Sequence, residues 1–113
     1  MARTPLTIVE SSKAGTALPA GTAADVANGN SVASDGKSVI VIATNANVST
    51  PRNVTITPTA TVDGLAAATR TVALPANTAK VLGPYELANY SDTLQISGDN
   101  ADVKFQVIRV PGI

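Results

Sequence analysis

The acidic side chains are the first place to look for chemistry in this chain of 113 residues. The densest group is Asp99, Asn100 and Asp102 in the run SGDNAD. Its oxygens could be offered to calcium, but the run lacks the sixth-position glycine and distal bidentate glutamate of a helix-loop-helix calcium site. It reads as a hairpin turn in which Asp and Asn accept hydrogen bonds from nearby backbone. Glu10 and Glu86 are the only glutamates and sit in unrelated contexts, and most aspartates occupy turn positions. No carboxylate pair is set up for glycoside hydrolysis.

Histidine and cysteine are both absent. That removes the usual proton carrier near neutral pH, along with Ser/His/Asp and Cys/His catalysis. Disulfides, thiolate metal sites and cysteine nucleophiles go with it. Gly29, with Asn28 and Asn30, and Gly36 have neither the spacing nor the following helix of a phosphate-cradling loop. Asn47-Val48-Ser49, Asn53-Val54-Thr55 and Asn89-Tyr90-Ser91 match the glycosylation acceptor pattern, a chance match in a chain rich in these residue types that shows no secretory signal. The residues point to a protein without catalysis and without a cofactor or metal.

Eight basic and eight acidic side chains cancel, so no field of one sign exists to hold nucleic acid or an anionic membrane. Arg3, Arg52, Arg70 and Arg109 are scattered with no aromatic interleaving, which does not build a base-stacking platform. The start, MARTPLTIVESSKAG, has no apolar run long enough for a signal peptide, and no segment is long enough to cross a bilayer. Synthesis in the cytoplasm is expected.

The elements that position these residues are strands. Val, Ile and Thr supply 34 of the 113 residues, types that suit a pleated surface and lose rotamer freedom on a helix. Val39 to Ile42 run without interruption, as in a central strand covered on both faces. From Asn53 to Val62 the order alternates strictly, Val54 and Ile56 on one side and Asn53, Thr55 and Thr57 on the other. Pro58 cannot donate to a ladder, so an edge position or a bulge is expected there. The same period recurs in Thr69–Leu74 and Thr93–Ser97, and Val103, Phe105 and Val107 share one face of the last run, with Ile108 and Val110 on the other. Asn28-Gly29, Asp35-Gly36, Asp63-Gly64 and Gly98-Asp99 mark tight turns. Only PYELANYSD, residues 84–92, is suited to a helical turn. Seven or eight strands at this spacing predict an all-β fold, a single β-sandwich of immunoglobulin-like or jelly-roll connectivity. Residues 1–22 read as an extended N-terminal arm and linker, and residues 23–113 as the sandwich.

The chain from GNSVASDGKSVIVIATNANVSTPRNVTITPTATVDGL through TRTVALPANTAKVLGPYELANY to VKFQVIRVPGI resembles small capsid decoration (cement) proteins of tailed bacteriophages. The resemblance lies in a Val/Ile strand ending in Thr44-Asn45, an alternating Thr-rich strand, a Pro-Ala-x-Thr turn at Pro75 to Thr78, Gly83-Pro84-Tyr85 and a terminal Val/Ile strand. It covers residues 28–113. Other viral sandwich proteins, such as tail and fibre domains, share much of it. The resemblance implies a structural protein on the outer surface of the virion, bound to the major capsid protein, commonly as a homotrimer, and reinforcing the shell. The competing reading is an adhesive or carbohydrate-binding sandwich module, weakened by the absence of Trp and the scarcity of Tyr for stacking on sugars.

Two expectations attach to the arm. Leu6, Ile8 and Val9 lie on a strand-forming segment ahead of a Gly, Ala and Pro stretch. Either Arg3, Pro5, Leu6 and Ile8 contact the capsid or a neighbouring subunit by adding a strand to its sheet, or the segment forms the first strand of its own sandwich.

Overall fold

The structure is a computed structural model that describes residues 3–18, 20–59, 61–66 and 68–111. In chain order its elements are β1 (Thr4–Pro5), β2 (Ile8–Glu10), β3 (Thr22–Ala23), β4 (Asn30–Ala33), β5 (Val39–Asn45), β6 (Arg52–Thr57), β7 (Thr61–Val62), β8 (Leu65–Ala66), β9 (Arg70–Leu74), β10 (Ala79–Leu82), α1 (Leu87–Tyr90), β11 (Thr93–Gly98) and β12 (Val103–Arg109). α1 is the single helical turn expected in residues 84–92.

Ten of the strands form two sheets of five. The first has the order β1-β4-β11-β6-β9; in the second, β10-β5-β12-β2, β3 also pairs with β12, on the edge it shares with β2. The fold is a β-sandwich, as the alternating pattern predicted. Seven strands have four residues or more. The middle five, β5, β6, β9, β10 and β11, are wired like strands B, C, C′, E and F of an immunoglobulin domain. The flanking two are exchanged: β4 pairs with β11 and β12 pairs with β5.

Alternation delivers the core. Val32, Val54, Ile56, Leu74, Leu94 and Ile96 from the first sheet meet Val41, Ala43, Val103, Phe105 and Val107 from the second, all at 2% exposure or less. Each Val, Leu, Ile or Phe among them contributes roughly 1.5–3 kcal/mol by leaving water. The outward residues Ile40 and Ile42 of β5 are half-buried, so the central strand is covered fully on one face only. Pro58 does not sit within a strand; β6 ends at Thr57, just before it.

The division at residue 22 into arm and sandwich is corrected by the backbone. β1 runs parallel to β4 at the edge of the first sheet, and β2 runs parallel to β12 in the second. The chain crosses between sheets at Leu6, which is 7% exposed and part of the core. Two strands of two and three residues carry too few positions to display a period of two, which is why the segment read as an arm.

Candidate interaction surfaces

The N-terminal segment is held by polar contacts as well as by Leu6. Arg3 donates from one guanidinium nitrogen to the carbonyl oxygens of Asn30 at 3.2 Å and Ile96 at 3.3 Å, and to Ser97 Oγ at 3.0 Å. A Cβ on Gly29 would run into that guanidinium, and Gly29 has φ 77°, so glycine is required there twice over. Thr4 donates its hydroxyl to Asp25, and that bond, with a second from the Asn28 backbone, holds the Asp25 carboxyl below its ordinary value. Asn30 is fully buried; its Oδ1 accepts from Asp25 N–H at 2.9 Å and its Nδ2 donates to the Thr4 carbonyl at 3.2 Å.

The four residues assigned to a contact therefore separate. Leu6 and Ile8 pack into the chain's own core. Arg3 is half-buried and Pro5 exposed, both bordering the outer face of the first sheet.

That outer face spans four neighbouring strands of the first sheet. The register aligns Ser31 with Gln95 and Gln95 with Thr57 in one row, and Ser97 with Thr55 and Thr55 with Thr71 in the next. No outward position on β4, β11, β6 or β9 carries a charged residue. The solvent face of a small domain is ordinarily about a quarter to a third Lys, Arg, Glu and Asp. A face of hydroxyls and amides is cheaper to desolvate than one of charges. Thr is stiff at χ1, so it loses little rotamer freedom when covered.

At the opposite side of the sandwich from β1 and β2, the edges of β9 and β10 flank an open notch of about 360 Å³, lined by Arg70, Val72, Leu82, Tyr85, Glu86 and Tyr90 among others. Tyr85 and Tyr90 meet edge to face with ring centroids 5.0 Å apart. Burial pushes the Tyr85 hydroxyl up, and the hydrogen bond to Tyr90 holds Arg70 more firmly protonated. The sequence does not bring Arg70 together with this Tyr pair, because Arg70 lies 15 positions from Tyr85 and 20 from Tyr90.

The Asp99 to Asp102 group is engaged as a turn. Asp99 accepts from Asn53 N–H at 3.0 Å, Asn100 Oδ1 from Asp102 N–H at 3.0 Å, and Asp102 Oδ2 from Asn47 Nδ2 at 3.0 Å and Arg52 at 3.1 Å. Among the described residues no group of three or more acidic side chains is gathered to hold a metal.

No family model, curated protein or solved structure matches this chain.

Two of the segments that carry the resemblance to decoration proteins join the sheets to each other. Fully buried Asn45 donates from Nδ2 to the carbonyls of Thr50 at 2.9 Å and Leu74 at 3.1 Å, and its Oδ1 accepts from Asn47 N–H at 2.9 Å. Asn45 N–H in turn donates to the Thr78 carbonyl at 2.9 Å. The Thr44-Asn45 strand end and the Pro75 to Thr78 turn are thus one joint, and Gly83-Pro84-Tyr85 forms a wall of the notch.

Proposed function

We propose that this protein is a non-enzymatic virion component that binds the outer surface of a phage capsid and reinforces it, with the major capsid protein as its partner and a homotrimer as its working form. The observation that carries this reading is the charge-free outer face of the first sheet. A cement protein occupies many identical sites with little surface at each, and symmetric association adds avidity without new contacts. Charged residues are depleted at the cores of protein interfaces, and Ser31, Thr55, Thr57, Thr71 and Gln95 present none, with the Arg3 guanidinium reaching the face only at its border, on Ser97. Arg3 and Pro5 border that face and would lie at the rim of the contact. The test is the composition of purified virions. A stoichiometric band of 11.3 kDa on the capsid fraction is expected; its absence from mature particles overturns the assignment, and its presence in tails alone moves the protein to a tail or fibre.

The Tyr85, Tyr90, Arg70 and Glu86 notch favours one second reading, an adhesive module, since aromatic faces with charged hydrogen-bonding neighbours suit sugars. Retention on a glycan array, lost in Tyr85→Ala, would select it.

A further inference from the structure

Two apolar features sit on opposite sides of the sandwich. The first is a knob. Beyond β6 and β9 the chain forms the β7–β8 hairpin, in which Thr61 pairs with Ala66 and Val62 with Leu65. Its turn residues Asp63 and Gly64 have φ of 52° and 80°, the left-handed pair that closes a two-residue hairpin tightly. Leu65, directly after the turn, is 73% exposed. A single exposed apolar side chain is ordinary on a protein surface; what sets Leu65 apart is its place on a tight hairpin that carries it away from the sheets.

The second is a socket. Val9 and Ile108 are register partners on the outer face of the second sheet, and with Ser11, Ser12, Thr16 and Leu18 they line a recess of about 220 Å³. None of the six is charged. The volume is below the roughly 300 Å³ at which small-molecule sites begin, a size for one aliphatic side chain rather than a ligand.

Sheet order keeps the two apart within one chain. The hairpin springs from the β9 edge of the first sheet, and the recess lies at the β2 edge of the second. Short crossings at Leu6–Thr7 and at residues 75–78 place β1 beside β2 and β9 beside β10, so knob and socket occupy opposite sides. Asp63 is the only charged residue in 58–69 and Lys13 the only one in 11–22, while the exposed Glu10 and Arg109 beside Val9 and Ile108 pair with each other at 2.9 Å and leave Lys13 as the net charge at the socket.

We infer that this chain associates with itself head to tail, Leu65 of one copy seated in the Val9, Leu18 and Ile108 recess of the next, with Asp63 of the first meeting Lys13 of the second. The contact joins two different patches, so it is heterologous and closes into a ring or extends as a filament according to the rotation between copies. It needs only a second copy and stands whether or not a capsid is the partner.

Sedimentation velocity on the full chain, without capsids, tests it. Leu65→Asp and Leu18→Asp each alter an exposed side chain outside the core, so both should give the wild-type circular dichroism spectrum. The unsubstituted protein should sediment as an assembly larger than the 11.3 kDa monomer, and each variant alone as a monomer. An equimolar mixture of the two should give a dimer that grows no further, because one intact knob and one intact socket remain. Asp63→Lys should weaken assembly and added Lys13→Glu restore it. A monomeric wild type, a variant that assembles like wild type, or a mixture that stays monomeric overturns the inference.

Discussion

Asn45 Nδ2 donates to the Leu74 carbonyl oxygen at 3.1 Å, tying the end of β5 in one sheet to the end of β9 in the other. Both residues are fully buried, so the bond forms away from water. Asn45→Ala removes the buried bond to the Leu74 carbonyl, at a cost of about 1–3 kcal/mol. Asn45→Asp is expected to cost more, because a carboxylate would face carbonyl oxygens it cannot bond. Urea unfolding checks both; equal stability of Asn45→Ala and wild type would contradict the role.

Leu6 is the apolar plug where the chain passes between sheets. Leu6→Ala is expected to lose about 2–5 kcal/mol, and deletion of residues 2–9 to leave an unfolded chain by circular dichroism. A truncated protein with wild-type stability would show that the segment is dispensable to the sandwich.

Adjacent residues of β6 should respond in opposite ways. Ile56 is fully buried, so Ile56→Asp places an unpaired charge in the core and abolishes folding. Thr57→Asp points outward and leaves the thermal midpoint close to wild type. Equal damage from both would contradict the register.

Three aspartates set the acid limit. Asp35 accepts from the Ser38 hydroxyl and from the Ser38 and Lys37 N–H groups, Asp102 from Asn47 and Arg52, and Asp25 from Thr4 and Asn28. Each is held below its ordinary value of 3.8. The unfolded chain therefore binds their protons at higher pH than the folded one, and the stability they contribute is present above that value and lost as pH falls through the folded values. With no histidine to titrate, the thermal midpoint should be flat from about pH 5 to pH 8 and fall below about pH 4. A midpoint that rises on acidification would contradict these hydrogen bonds.

The alternation of Val54 and Ile56 with Thr55 and Thr57 was legible because a strand's side-chain period is two. Asn30 and Asn45 were not recognised as buried, since Asx residues beside turns look alike locally while their partners Thr4 and Leu74 lie 26 and 29 positions away. The same limit hid the notch at Tyr85 and the tether at Arg3, which depend on register between distant strands. Each Thr-rich strand was visible alone, but only pairing aligns Thr55 with Thr71 and Ser97 into one charge-free face.

That face is tested most directly by co-sedimentation with capsids stripped of decoration. The double variant Thr55→Lys, Thr71→Lys keeps both side chains outward, so it should fold like wild type yet remain in the supernatant, because docking would bury two unpaired charges. Thr44→Lys, on the outer face of the other sheet beside Lys104, should pellet with the capsids as wild type does. Pelleting of the double variant at wild-type stoichiometry, or failure of wild type itself to pellet, would contradict docking through this face.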